Sequence, residues 1–182
     1  QAEEMVRRAR SYGMKAQVGF QTVFGYHAPG DTPVQKVVDL ALRFAESGID
    51  SLSLADSTGM ANPVMIREHV GAVQAALKDT PVPLVLHLHD TRGLGLANVY
   101  AALEMGVTRF DTSLGGLGGC PFIPGATGNV ATEDTAYLLD QMGIETGIDI
   151  GKVAEAARRI EQFLARPLPG KIHRLPVQQT QA

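Results

Sequence analysis

The strongest constraint on the fold is a pattern that occurs four times, in which a short apolar run is followed by a segment with helical periodicity. The apolar runs cover residues 16–23, 49–55, 84–89 and 109–112. Strands that alternate with helices in this way pair in parallel and are joined by right-handed crossovers. The sequence therefore predicts an α/β fold made of parallel βα units.

Each of these strands is expected to precede a helix with one apolar face. The residues expected to pack inward are Val34, Val38, Ala41, Leu42 and Ala45; Ile66, Val70, Val73 and Leu77; Leu96, Val99, Tyr100 and Leu103; and Thr135, Leu138, Leu139 and Met142. The start signals are Asp31, Thr32 and Pro33, then Asn62 and Pro63, then Thr132 with Glu133 and Asp134. His69 is expected at the surface.

The chain is long enough for one domain with a sizeable core, which we predict over residues 1–165. It opens on a polar helical segment, residues 1–12, that resembles the end of an element begun earlier, and its last amphipathic helix covers residues 150–163. Residues 166–182 lack periodicity and are predicted to form a terminal tail, in which His173 is uninvolved.

Composition narrows the class of function. A net charge of -3 argues against nucleic acid or an anionic membrane as a bulk partner. A single cysteine excludes an internal disulfide framework, and no apolar run approaches the ~20 residues of a membrane span. With no signal peptide recognised at its start, the chain is expected to be soluble and cytoplasmic.

The third strand ends in a His-Leu-His sequence that favours metal binding. His87 and His89 are two residues apart, so their side chains share one strand face, with Cβ atoms roughly 6 to 7 Å apart. Two neutral imidazoles buried side by side would otherwise need two dedicated hydrogen-bond partners. We therefore favour a divalent-metal site over a pair of core histidines.

A loop rich in glycine, residues 113–129, follows the fourth strand and has few side chains to pack. It carries Cys120, the only cysteine, which we expect to be an accessible thiol. Asn129 is a turn residue or an oxygen ligand, and the residues alone favour the turn. Asp56, at the end of the second strand, lies where parallel α/β folds place their sites, and an Asx-type turn or helix cap explains it equally well.

Three segments together closely resemble the 3-hydroxy-3-methylglutaryl-CoA lyases. They are His87-Leu-His-Asp-Thr91, Gly115-Gly-Leu-Gly-Gly-Cys120-Pro and Gly125-Ala-Thr-Gly-Asn129-Val-Ala-Thr-Glu-Asp134. The resemblance implies a (β/α)₈ TIM barrel. Because such a barrel needs roughly 200 to 250 residues or more, this chain matches its C-terminal half, the last four βα units.

The resemblance also implies a chemistry, the retro-Claisen cleavage of an acyl-CoA substrate to acetyl-CoA and acetoacetate. It implies Mg²⁺ or Mn²⁺ as the cofactor, with His87, His89 and Asn129 as metal ligands. By the same resemblance His87 takes part in proton transfer, Cys120 assists from the loop and Asp56 lies in the active site. Where relatives carry a Cys-Pro pair after an earlier strand, this chain has Tyr26-His27.

The lyases of this family also carry an Arg-Asp pair on their first strand, which is expected to lie before residue 1. These 182 residues alone are therefore expected to be largely inactive. A half barrel would expose two sheet edges and an apolar inner face, so we expect a homodimer or higher oligomer. The alternatives are another metal-dependent aldolase or acyl-CoA condensing enzyme of the same barrel type, and a non-catalytic half-barrel module that binds metal or assembles.

Overall fold

The computed structural model describes residues 1–119, 123 and 125–176 and contains a parallel four-stranded sheet. The strands are β1 (Gln17–Phe20), β2 (Ser51–Ala55), β3 (Leu84–His87) and β4 (Phe110–Asp111). They lie side by side in the order β1-β2-β3-β4. This arrangement confirms the predicted parallel α/β fold, although each strand is shorter than the apolar run that predicted it.

Six α-helices and two short 3₁₀ turns accompany the sheet in the described residues. The helices are α1 (Ala2–Ser11), α2 (Val34–Glu46), α3 (Pro63–Ala76), α4 (Gly95–Glu104), α5 (Thr132–Gln141) and α6 (Ile150–Leu164), and the turns cover Leu114–Gly116 and Ile172–Arg174. Helices α2, α3 and α4 pack against one another in chain order. No helix in the described ranges is both long and apolar enough to cross a bilayer.

One of the three predicted helix starts has the expected cap. The Asn62 side chain accepts hydrogen bonds from the backbone N–H groups of Val64 and Met65, and Pro63 occupies the first turn of α3. The predicted inward face of this helix is confirmed, since Ile66, Val70, Val73 and Leu77 are all buried.

The caps predicted for the other two helices were wrong, although both helices begin within one residue of the predicted position. The Asp31 carboxylate accepts from the backbone N–H groups of Tyr26, His27 and Ala28, so it closes the loop before α2 and leaves the helix uncapped. At α5 no side-chain cap forms, and the Thr132 hydroxyl hydrogen-bonds the hydroxyl of Thr112 on the neighbouring strand end.

The two faces of the sheet differ in chemistry. Leu52, Leu54, Leu84 and Leu86 belong to the buried core that also contains helix residues. Because side chains alternate along a strand, their neighbours point to the opposite side, which we call the site face. By the strand register the site face carries Gln17, Gly19, Ser51, Ser53, Ala55, Val85, His87 and Asp111. The expectation of an apolar inner face was therefore wrong, because that face is largely small and polar.

Two histidines expected to be uninvolved at the surface are buried. His69 is 2% exposed, its Nδ1 lies 3.0 Å from the Met65 carbonyl oxygen, and its ring packs near Phe24. His173 is fully buried, as is Leu168 nearby, so part of the segment after residue 165 packs against the body of the protein. The division at residue 165 itself stays a prediction.

Candidate active site

His87 and His89 lie together at the carboxyl end of β3. Their ring centroids are 5.4 Å apart, as expected for side chains two residues apart on a strand. His87 is partly exposed, and its Nδ1 lies 3.6 Å from an oxygen of Asp111, its register partner on β4. His89 is 6% exposed. The pair thus presents one accessible and one buried imidazole on the same side of the sheet.

Burial keeps His89 neutral. Removal from water, with a smaller contribution from the neighbouring His87, lowers the pKa of His89 from its usual 6.5 to about 4. The neutral imidazole is the form that binds metal ions, because a ring nitrogen then keeps a free lone pair. The Nδ1 atom of His89 is buried and has no hydrogen-bond partner.

Asn129 is brought to His89 by backbone pairing. The two residues form an isolated antiparallel bridge, which contradicts the turn that the residues alone had favoured. The Asn129 side-chain amide donates to the Leu117 carbonyl oxygen at 2.8 Å, while its own oxygen is buried without a partner. Gly118 allows this contact, since a Cβ there would lie 2.6 Å from the Asn129 amide nitrogen.

The chemistry of these atoms is compatible with a divalent ion. Buried polar atoms are almost always paired, and the His89 ring nitrogen and the Asn129 amide oxygen have no partner among the described protein atoms, so both are free to bind an ion. Two imidazoles and one amide oxygen form a mixed N/O donor set that suits Mn²⁺ and tolerates Mg²⁺. Among the described residues no three His, Cys, Asp or Glu side chains form a metal cluster, so Asn129 is essential to this fit.

Asp56 lies beside the histidine pair through its backbone, since its N–H donates to the His87 carbonyl oxygen at 2.9 Å. One oxygen of its carboxylate accepts from the N–H groups of Met60 and Ala61, as in the turn considered above. The other oxygen is buried without a partner. Burial raises the pKa of Asp56 to about 6, against the opposing effect of the hydrogen bonds it accepts. A carboxyl group with a pKa near neutrality is suited to proton exchange.

Cys120 lies outside the described residues, so its accessibility stays a prediction. The parts of the loop on either side of it can be described. The Leu114–Gly116 turn begins the loop, and residues 128–131 return beside β3, with the Val130 N–H donating to the Leu88 carbonyl oxygen. The loop therefore leaves and re-enters the fold next to the histidine pair.

Four residues near the site were missed by the sequence reasoning. Asp111 could have been found, because it ends a strand in the same way as Asp56 and shares the register of His87. Glu133 and Asp134 were predicted only as first-turn residues of a helix and His173 as uninvolved, so their buried contacts were missed. They are buried polar groups whose partners are about 40 residues away in the chain, beyond the reach of any periodicity argument.

A parallel sheet with polar side chains gathered at the carboxyl ends of its strands is the site arrangement of parallel α/β enzyme folds, the (β/α)₈ barrel among them. The chain belongs to the HMGL-like family, whose model matches residues 1–160. It is 42% identical to the hydroxymethylglutaryl-CoA lyase of Bacillus subtilis over 163 residues, which are 90% of this chain and 54% of that protein. It is 37% identical to the (R)-citramalyl-CoA lyase of Chloroflexus aurantiacus, covering 90% of this chain and 51% of that one.

A solved structure has the same fold over the whole chain. It is an HMG-CoA lyase from Acinetobacter baumannii in complex with coenzyme A and 3-methylmalate, with a TM-score of 0.88 and 36% sequence identity. The match covers 100% of this chain and 58% of that one. The chain thus spans about half the length of the curated relatives it matches.

Proposed function

We propose that this chain supplies the metal-binding part of a carbon–carbon lyase that cleaves 3-hydroxy-3-methylglutaryl-CoA to acetyl-CoA and acetoacetate. Membership of the HMGL-like family and the lyase names of its relatives support the reaction class. The observation that carries the proposal is the convergence of His87, His89 and Asn129, with a buried donor atom of His89 and another of Asn129 left without a partner.

A divalent ion bound there would stabilise negative charge on the substrate's tertiary hydroxyl oxygen. His87, the accessible imidazole of the pair, would accept the hydroxyl proton in the state in which its lone pair does not hold the ion, so it would serve as ligand or as base but not as both at once. The electron pair of that O–H bond then forms the ketone, and the adjacent carbon–carbon bond breaks toward an enolate of the thioester. Protonation of the enolate carbon gives acetyl-CoA and leaves acetoacetate.

The remaining residues would orient His87 or transfer protons. The Asp111 carboxylate, 3.6 Å from His87 Nδ1, would orient that ring. Asp56, with its pKa of about 6, would exchange protons near neutral pH. Cys120 would donate or relay the proton that the enolate carbon takes up, the role that the family resemblance implies for it.

The metal site is tested directly by Mn²⁺ titration calorimetry. We expect one ion per chain, and His89→Ala should weaken binding at least tenfold, since losing even an outer-shell partner of a ligand costs about 10- to 100-fold. The matched control is His27→Ala, which removes an exposed imidazole whose ring packs against Tyr26. Equal affinities for the parent and His89→Ala would contradict the assignment.

The citramalyl-CoA relative gives a second candidate substrate. At 37% identity it lies within a few per cent of the hydroxymethylglutaryl-CoA lyase match. Identifying the oxo acid product would distinguish the two substrates, since acetoacetate is expected from the first and a different oxo acid from the second. A preference for (R)-citramalyl-CoA in a side-by-side assay would change the proposed substrate but not the proposed lyase reaction.

We also propose that these 182 residues alone turn over little substrate. The Arg-Asp pair that the resemblance implies is not among them, and the described residues offer only three candidate metal ligands. Mn²⁺ binding with little acetoacetate release is the expected result. Robust release by these residues would contradict the need for further groups.

A further inference from the structure

Residues 168–174, which we call the strap, lie across the base of the glycine loop. The Gly170 N–H donates to the Gly115 carbonyl oxygen at 2.9 Å. The Leu168 side chain is buried directly over Gly115, where a Cβ would lie 2.3 Å from its Cδ1 atom. The strap and the first turn of the loop are therefore in close van der Waals contact.

A buried carboxylate joins the two segments. The two oxygens of Glu133 have different partners: one accepts from the Gly115 N–H at 3.1 Å, and the other lies 3.0 Å from Nδ1 of His173. Glu133 and His173 are fully buried. When Glu133 is ionised it can only accept, and Nδ1 of His173 is then the donor in this contact. A buried charge needs such partners, and removing one leaves the other uncompensated.

The strap is itself held from two sides. Arg158 on α6 donates to the His173 carbonyl oxygen at 2.8 Å. The Asp134 carboxylate, on the first turn of α5, accepts from the backbone N–H groups of Lys171 and Ile172. The backbone around His173 is therefore held in place, and Glu133 links it to the loop.

The base of the glycine loop is connected to the proposed ligand Asn129 through Leu117, two residues after Gly115. Gly115 precedes Leu117, whose carbonyl oxygen accepts both the backbone N–H of Asn129 at 3.4 Å and its side-chain amide at 2.8 Å. Any displacement of Gly115 would therefore move the acceptor that orients the Asn129 oxygen.

We propose that His173 is a positioning residue, which acts through Glu133 and Gly115 to hold the base of the glycine loop and thereby the orientation of Asn129. The contact with the loop stands on geometry alone. Its consequence for metal affinity rests on the proposed function.

The loop contact is tested by hydrogen–deuterium exchange with a chelator present and no metal or substrate. His173→Ala should speed exchange in residues 113–119 about tenfold or more, because the amide protection there depends on the strap. His173→Asn should restore slow exchange, since an asparagine amide can donate to Glu133 where Nδ1 does. His69→Ala, which removes a buried histidine far from the loop in sequence and contacts, should leave residues 113–119 unchanged.

A second variant works even if His173→Ala does not fold. In Gly170→Ala the added Cβ would lie 2.7 Å from a Glu133 oxygen and 3.1 Å from His173 Nδ1, so it pushes the strap outward while keeping every polar partner. It should also speed exchange in residues 113–119. Unchanged exchange in Gly170→Ala, or equal acceleration in His69→Ala, would overturn the proposal.

Mn²⁺ affinity then separates the two claims. If the parent binds Mn²⁺, His173→Ala should weaken binding about tenfold and His173→Asn should recover it. A parent that binds no Mn²⁺ would refute the proposed function but leave the exchange result intact. Tight binding by His173→Ala despite a mobile loop base would overturn the link from strap to Asn129.

Discussion

Two buried ionisable residues oppose each other in the dependence of stability on pH. The folded pKa of Asp56, raised to about 6, means that the folded chain holds a proton there that the unfolded chain has lost, so stability falls as pH rises from about 4 to 6. For His89, with its folded pKa of about 4, the unfolded chain binds the extra proton, so stability rises over nearly the same interval. The two contributions nearly cancel in the parent.

Single substitutions should expose each contribution. In Asp56→Asn only the His89 contribution remains, so the free energy of unfolding should rise relative to the parent as pH goes from 4 to 6.5. In His89→Gln only the Asp56 contribution remains, so it should fall over the same interval. Each change should be on the order of 3 kcal/mol, since a tenfold change in an acid constant is about 1.4 kcal/mol. Urea unfolding at several pH values in the presence of chelator measures both. Parallel stability curves for the parent and both variants would show that neither group titrates abnormally.

At the residue scale the sequence predicted the histidine pair but not the other buried polar groups. His87 and His89 could be found because strand alternation fixes their common face whatever the rest of the fold does. His69 was placed at the surface and His173 in an uninvolved terminal tail, yet each is buried. Their burial depends on partners that only tertiary packing supplies, Phe24 in one case and Glu133 in the other.

At the scale of elements, the cap of α3 gives a direct test of local stability. Asn62→Ala removes the acceptor for the N–H groups of Val64 and Met65, so the free energy of unfolding should fall by about 1 kcal/mol. Asn62→Asp should retain most of the stability, since a carboxylate accepts the same bonds. Chemical denaturation of the three proteins measures this, and an unchanged midpoint for Asn62→Ala would contradict the role of the cap.

The order and type of the elements were predictable, whereas the caps of two helices were not. Alternation of apolar runs and helical periodicity is repeated four times, so each unit supports the others. A cap depends on a single side chain, which can turn to a competing donor. The Asp31 carboxylate accepts from three N–H groups of the preceding loop, and the Thr132 hydroxyl hydrogen-bonds that of Thr112 on another element.

At the scale of the whole molecule, pairing of two copies stays our prediction, but its expected cause changes. In the described sheet β1 and β4 each have one neighbour and one open edge, with backbone donors and acceptors available for pairing. The site face offers Ser51, Ser53 and Asp111 in place of the expected apolar surface, so strand edges rather than that face should drive association.

Light scattering of these 182 residues at micromolar concentration should therefore show a dimer or a larger species. The Leu52 N–H donates to the Pro83 carbonyl oxygen on the β3 side, so in the β1–β2 register the Val18 N–H bonds β2 and the Gly19 N–H faces the open edge. Proline substitution at Gly19 should weaken that association if the β1 edge carries it, because proline removes this edge donor. The control is the same substitution at Gln1, at the start of the chain and outside the sheet. A stable parent monomer would contradict the prediction.

The division of the sheet into a leucine-rich side and a small, polar side also bears on how such a protein can diverge. The leucine-rich side packs against the helices through Leu52, Leu54 and Leu86. The site face carries Ser53, His87 and Asp111, which contribute little to that packing. Mutation can therefore explore new substrates on one side without eroding the fold on the other. Lineages sharing this scaffold could change specificity by substitutions on the site face while the leucine-rich side keeps the helices packed.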